Sequence, residues 1–227
     1  MTELEIKPIK IKEDKEVNLK EDNRELKKYE FYKRVIDILG AVLGLIILSP
    51  IVLIAIIAIK IEDPRGRVIY CQKRVGKQGK KFNMYKLRSM IYNADELKKE
   101  LINKNEMSGP MFKMRNDPRV TKVGKIIRKT SIDELPQLIN ILKGDMSLVG
   151  PRPSLPKEVE QFEPWMMQRL DVTPGLTCFW QVSGRNHIDF EEWMNLDIKY
   201  VEERNLWLDI TLIFKTFFVL FGDKRAS

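Results

Sequence analysis

The 227 residues carry 40 Lys and Arg against 32 Asp and Glu, a formal net charge of +8, which points to an acidic partner: nucleic acid, anionic lipid or a phosphorylated small molecule. One histidine, His187, and two distant cysteines, Cys71 and Cys178, exclude a His/Cys zinc cluster and a disulfide framework, and fit a reducing compartment. The length suits one domain with appendages.

Residues 1–28 are polar, rich in Lys and Glu and poor in core-building side chains, and read as a mobile tail or a frayed helix. They are no secretory signal, because the apolar stretch starts too late and no small-residue cleavage pattern follows. Lys33 and Arg34 then precede the apolar run Ile38 to Ile59. As one helix that run reaches roughly 33 Å, enough to cross a bilayer core. At its centre, in GLIILSPIVLI, stand Ser49 and Pro50. A proline there removes a backbone hydrogen bond and kinks the helix, although kinked spanning helices exist. Split at Ser49-Pro50, the run gives two arms of roughly 14–16 Å that reach mid-bilayer and return. The Ser49 hydroxyl is suited to bond a carbonyl that Pro50 frees. Charge speaks for the return: residues 60–88 carry ten Lys and Arg against Glu62 and Asp63, and the positive-inside rule pulls this cluster and Lys33/Arg34 to one side. The cluster would face lipid headgroups. A single spanning anchor and a re-entrant hairpin over 29–62 both remain open.

Past residue 60 the chain is mixed. VIYCQKRVG and KFNMYKLRSM read as extended pieces around the Gly76/Gly79 turn. Asn93 to Asn103 reads as an amphipathic helix capped by Asn93, and SGPMFKMRNDP as a loop. Short helices are expected over Val123 to Arg128 and Leu135 to Leu142, the second stopping at Lys143-Gly144. After Pro151, Pro153 and Pro156 a helix is expected near Glu158 to Leu170, and another over Phe190 to Arg204. The segment LWLDITLIFKTFFVLF is short for a span and reads as a core helix or, preferably, one lying in the membrane interface.

The chemistry-bearing string is RKTSIDELPQLINILKGDMSLVGPRP, residues 128–153. Ser131 and Glu134 have capping-box spacing, so the acids Asp133 and Glu134 may do no more than finish a helix start; Asp133 as the cap would place Pro136 where no bond is lost. Alternatively, the positive end of the helix dipole favours their ionised forms, which suits a nucleophile or a metal ligand. Arg128, Lys129 and Arg152 surround the pair, and Lys86, Arg88 and Arg185 lie in other polar stretches, the kind of groups that hold phosphate. Nucleotide-loop and serine-hydrolase motifs are absent. Aromatic side chains concentrate in apolar segments, which argues against stacking on nucleic acid.

KRVIDI (33–38), SP (49–50), QKRVGKQGKKFNMYKLRSM (72–90), DPRVTKVGKIIRKTSIDELPQLINILKGDMSLVGPRP (117–153) and PGLTCFWQVSGR (174–185) together resemble the bacterial sugar transferases, the monotopic polyprenol-phosphate phosphoglycosyl transferases. The resemblance covers roughly residues 30–221 and implies a mostly α protein with short β or extended pieces. It further implies a re-entrant helix hairpin broken at Ser49-Pro50, a cytosol-facing catalytic domain over 63–221 with interfacial amphipathic helices, and a tail at 222–227. It implies transfer of a sugar 1-phosphate from a UDP-sugar to undecaprenyl phosphate with release of UMP, at the cytoplasmic face of the bacterial inner membrane. Asp133 would be the nucleophile and lie near Mg²⁺, with Glu134 completing the dyad. Arg128 and Arg152 would hold phosphate, Lys86 and Arg88 would lie near the acceptor or donor phosphate, and Arg185 near the nucleotide. Membrane lipids, a homodimer and downstream glycosyltransferases are partners it allows; nucleic acid is not. Cys178 stands where many relatives have glycine, a departure that bears on sugar or nucleotide fit. A non-catalytic membrane-bound scaffold is the competing reading, but it gives no reason for an acidic pair among arginines.

Overall fold

The computed structural model describes residues 10–101, 114, 116–183 and 189–222. The architecture is mostly helical with two small sheets. Helix α1 runs from Lys10 to Glu62 and contains Pro50. Strands β1 (Ile69–Val75) and β2 (Lys81–Leu87) form an antiparallel hairpin with Ile69 opposite Leu87 and Val75 opposite Lys81, turned by a 3₁₀ segment at Lys77–Gly79. There follow α2 (Ala94–Leu101), α3 (Lys122–Lys129), a 3₁₀ turn at Ile132–Glu134, and α4 (Gln137–Lys143). Strand β3 (Ser147–Val149) pairs in parallel with β4 (Gly175–Thr177). Between them lie α5 (Pro156–Val159) and a 3₁₀ segment, Pro164–Asp171; α6 (Phe179–Val182), α7 (Phe190–Glu203) and α8 (Leu206–Gly222) complete the chain.

The chain therefore enters α1 through the polar residues from Lys10 onward, and the two arms expected around Ser49-Pro50 form one helical element. The physical reason is local. Pro50 has no N–H for the Ile46 carbonyl, and Ser49 Oγ donates to that carbonyl at 2.9 Å, so the group stays satisfied. Arg24–Glu62 is the one stretch among the described residues long and apolar enough to cross a membrane. Leu43, Ile46, Ile47 and Ile54 on it are exposed.

Both ends of this apolar helix are fastened to the same body. Lys33 donates to the Val149 carbonyl at 2.9 Å and to Asp209 of α8 at 2.8 Å. Arg34 closes the C-terminal end of α4 by donating to the Ile141 and Leu142 carbonyls, where a cation also meets the negative end of the helix dipole. Asp37 accepts from Ser147 Oγ and Leu148 N. At the far end, Glu62 accepts from Lys122 N at 2.7 Å and Val123 N at 2.9 Å, supplying the acid that the first turn of α3 lacks. Between the anchors, Ala41 packs with Leu138, Ile141 and Met146, and Ala55 and Ile59 with Leu87 and Ile127.

The expected helix near Glu158 to Leu170 is instead α5 followed by the 3₁₀ segment. Pro164 disfavours helical backbone at the residue before it, and Glu163 is extended, with φ −69° and ψ 157°. Helix α4 begins at Gln137, two residues later than expected, because the 3₁₀ turn and Pro136 occupy its approach. It ends at Gly144, whose φ of +82° is the left-handed stop that glycine adopts without strain. Helix α8 packs Leu212, Leu208 and Ile213 inward and leaves Trp207, Phe214, Phe217 and Phe218 exposed. The loop reading of SGPMFKMRNDP falls mostly outside the described residues.

Candidate active site

The dyad sits on a strained turn. Ser131 adopts the left-handed region, φ 55° and ψ 16°, a conformation costly for a residue with a side chain. Its side chain makes no cap hydrogen bond, so the capping-box reading does not describe this turn. The reversal drives Asp133 inward, where it is 7% exposed, while Glu134 meets two cations. Lys86 Nζ of β2 lies 2.6 Å from Glu134 Oε1, and Arg152 Nη1 lies 3.3 Å from the same atom. Among the described residues no hydrogen bond ends on the Asp133 carboxylate.

Burial pushes the Asp133 carboxyl up to about 6, with Glu134 adding to the rise and Lys86, Arg128 and Arg152 opposing it. The helix-start argument for an ionised carboxyl is therefore outweighed by desolvation. Asp133 lies in a three-residue 3₁₀ turn, short of the first turn of α4. Burial likewise pulls Lys86 below its usual range, with Glu134 holding it up.

Arg128, in the last turn of α3, donates Nε to Ser89 Oγ at 2.9 Å, and its charge reaches Asp133. Gly124 makes this possible, because a Cβ there would sit 1.9 Å from the Ser89 carbonyl oxygen. Close packing of α3 on the end of β2 thus delivers Arg128 to the dyad. Arg88 is placed elsewhere: it is buried against Asp63, with Nη1 2.9 Å from Asp63 Oδ2. Lys86, Arg128, Asp133, Glu134 and Arg152 are brought together, Arg88 is not among them, and Arg185 lies outside the described residues.

The basic stretch 60–88, expected to face headgroups, is not all surface. Arg74, Lys86 and Arg88 turn into interior ion pairs, with Glu158, Glu134 and Asp63. Cys178 is fully buried beside Val149, Val172 and Tyr200, and burial pushes its thiol well up; it is a packing residue beneath β4. Sequence reasoning missed Arg169 and Asp197, a fully buried pair at 2.5 Å behind Arg152. Their spacing of 28 residues, with β4 and α6 between them, carries no pattern that pairs them. It also missed Trp180, whose ring lies 5.8 Å from the Arg152 guanidinium.

Immediately after Glu134, Leu135 and Leu138 join Gly44, Leu48, Pro50 and Leu53 of α1 around an apolar cavity of about 530 Å³. The residue that follows Glu134 in the chain thus lines an apolar cavity shared with Ser49 and Pro50 of α1. Among the described residues no group of three or more His, Cys, Asp or Glu side chains gathers to hold a metal ion. Mg²⁺ commonly takes one or two carboxylates plus substrate phosphates, so a single carboxylate such as Asp133 would suffice to hold it beside a diphosphate.

A family model described as bacterial sugar transferase matches residues 28–223. The chain is 49% identical over 186 residues to a galactosyl transferase, CpsE, of Streptococcus agalactiae, covering 81% of this chain and 41% of that protein. It is 44% identical over 200 residues to the undecaprenyl-phosphate galactose phosphotransferase of Salmonella typhimurium, covering 86% and 42% respectively. It is also 40% identical over 188 residues to the exopolysaccharide production protein ExoY of Rhizobium meliloti, covering 81% of this chain and 83% of that protein. The chain thus spans about two fifths of the first two relatives and most of the third.

Proposed function

As this chain belongs to the bacterial sugar transferase family, we propose that it transfers a sugar 1-phosphate from a UDP-sugar to undecaprenyl phosphate. The observation that carries the reading is the Asp133 carboxylate, buried and free of donors among the described residues, beside a Glu134 held by Lys86 and Arg152. A carboxylate used for capping or for a structural ion pair would be occupied. This one keeps its lone pairs for a phosphorus atom.

In the first step a carboxylate oxygen of Asp133 attacks the sugar-proximal phosphorus. The bond from that phosphorus to the bridging oxygen breaks, and UMP leaves with the electron pair. In the second step a phosphate oxygen of the acceptor attacks the same phosphorus, releasing the Asp133 carboxylate and giving a polyprenyl diphosphate sugar. Lys86, Arg128 and Arg152 supply positive charge where it spreads over phosphoryl oxygens. Glu134 keeps Lys86 and Arg152 aimed at that position and assists or orients the acceptor step. Mg²⁺ held by Asp133 and the diphosphate would neutralise phosphate charge when bound. The cavity beside Leu135 and Leu138 gives the first isoprene units of the acceptor an apolar place next to the dyad.

The same reading makes α1 re-entrant and places the body at the cytoplasmic face of the inner membrane. Its support is that Lys33 and Glu62, at opposite ends of the apolar stretch, are both bonded to one polar body. Cysteines at the exposed positions 27 and 60 (Lys27→Cys, Lys60→Cys) should label from the cytoplasmic side alone, and labelling from opposite sides refutes re-entrance. For the reaction, UMP release from a panel of UDP-sugars with undecaprenyl phosphate and Mg²⁺ is measured on wild type and Asp133→Asn. Loss of release in the variant is expected; unchanged turnover overturns the nucleophile.

A further inference from the structure

Behind Arg152 lies a buried ionic framework that the transfer steps leave unused. Arg169, 2% exposed, donates Nη2 to the Arg152 carbonyl at 2.7 Å and Nη1 to Ser154 Oγ. The same guanidinium pairs with Asp197 Oδ2 of α7 at 2.5 Å, and Asp197 has no solvent exposure. From the other side, Arg74 of β1 donates Nη1 to the Pro153 carbonyl at 3.0 Å and Nη2 to Gln72 Oε1 at 2.7 Å. Val75 N adds a bond to the Ser154 carbonyl at 2.9 Å. Residues 152–154 are thus gripped along their main chain by guanidinium groups from opposite flanks.

The head of Arg152 is steadied through the same helix that anchors Arg169. Trp180 beneath it stacks on Trp193 of α7 with centroids 4.5 Å apart. Trp193 and Asp197 are four residues apart and so share a face of α7. One serves the ring under the guanidinium and the other the clamp behind the carbonyl.

Such a framework is an expensive way to hold a loop. A buried ion pair repays its desolvation poorly, and apolar side chains of similar volume are often as stable. Asp197 Oδ1 is moreover left without a hydrogen-bond partner. What the guanidinium adds is geometry: a planar fork fixes two acceptors at once, which neither a lysine nor an apolar contact does. We propose that Arg169, Asp197 and Arg74 are positioning residues that aim Arg152 at Glu134 and the phosphate site; the proposal rests on the transferase reading above.

The test compares full-length wild type, Arg152→Ala, Arg169→Lys and the volume-matched pair Arg169→Met with Asp197→Leu, each checked first by thermal unfolding. The readouts are kcat and KM for the donor, each measured also in the Arg152→Ala background. Loss of the clamp should lower kcat/KM by about tenfold or more. In an Arg152→Ala background the clamp substitutions should add little, since they act through that residue. Wild-type kcat and KM in the folded clamp variants, or effects that add fully to Arg152→Ala, overturn the proposal. Should the Met/Leu pair fail to fold, Arg169→Lys, which keeps the charge opposite Asp197, decides by the same criteria. Full activity in Asp133→Asn overturns the transfer reading and the clamp with it, whereas an impaired Arg152→Ala beside wild-type clamp variants overturns the clamp alone.

Discussion

Replacing Asp133 by asparagine should stabilise the protein while removing its activity, and the gain should depend on pH in a defined way. The folded protein holds this carboxyl at about 6 against an ordinary value of 3.8, with burial as the leading cause. Below about pH 4 the group is neutral both folded and unfolded and contributes nothing to the balance. Between about 4 and 6 the unfolded chain ionises while the folded one stays protonated, so stability falls as pH rises. Above 6 the folded carboxylate is charged in its buried site, and the full penalty of about 3 kcal/mol is present. Asparagine has nearly the same shape and no charge to bury, so its advantage over wild type should be small at pH 4 and grow to about 3 kcal/mol by pH 8. For a chain of this size that corresponds to a rise in Tm of about 6–12 °C. The assay is thermal unfolding of the detergent-solubilised protein from pH 4 to 8, wild type beside variant. A difference that does not change with pH, or a variant less stable than wild type at pH 8, would refute the reasoning. It would mean that Lys86, Arg128 and Arg152 stabilise the carboxylate more than burial opposes it.

Three further substitutions probe the scaffold around the site. Ser49→Ala strips the Ile46 carbonyl of its donor in an apolar setting and should cost about 1–3 kcal/mol, seen as a lower Tm in detergent, with Ser49→Thr near wild type. Arg88→Met leaves Asp63 with Arg65 and the Tyr92 N–H as its remaining partners and should cost about 1–3 kcal/mol; a Tm within experimental error of wild type would show that the pair is dispensable. Gly124→Ala drives a methyl into the Ser89 carbonyl, so α3 must lift from β2. Destabilisation of about 1–3 kcal/mol should accompany a raised donor KM as Arg128 is displaced, and a wild-type KM would detach Arg128 from substrate binding.

Local chemistry wrote much of this protein into its sequence. The β1–β2 hairpin follows from two β-prone runs around Gly76 and Gly79, and the stop of α4 from Gly144. The Ser49-Pro50 pair announced its own remedy, because the residue before a proline is within reach of the carbonyl that the proline orphans. Motif resemblance singled out Asp133 and Glu134, yet spacing alone left them equally suited to capping a helix. Only the fold shows that the left-handed turn at Ser131 forms no side-chain cap bond and that β2 and the β3–α5 loop deliver Lys86 and Arg152 to Glu134.

What the sequence by itself determined was the kind of chain: an oily helix with a proline at its centre, a basic mixed body, and a string of acids among arginines. These are readable because each depends on neighbours within a few residues. Which cations gather beside Asp133 and Glu134 and which pair elsewhere was decided by the tertiary fold. Lys86 and Arg88 are two residues apart, yet one meets Glu134 and the other Asp63. The proton affinity of Asp133 was decided there too, because desolvation depends on every element packed around the carboxylate. So was the pairing of Arg169 with Asp197, since a buried charge takes its partner from whichever element folds against it, at any distance along the chain.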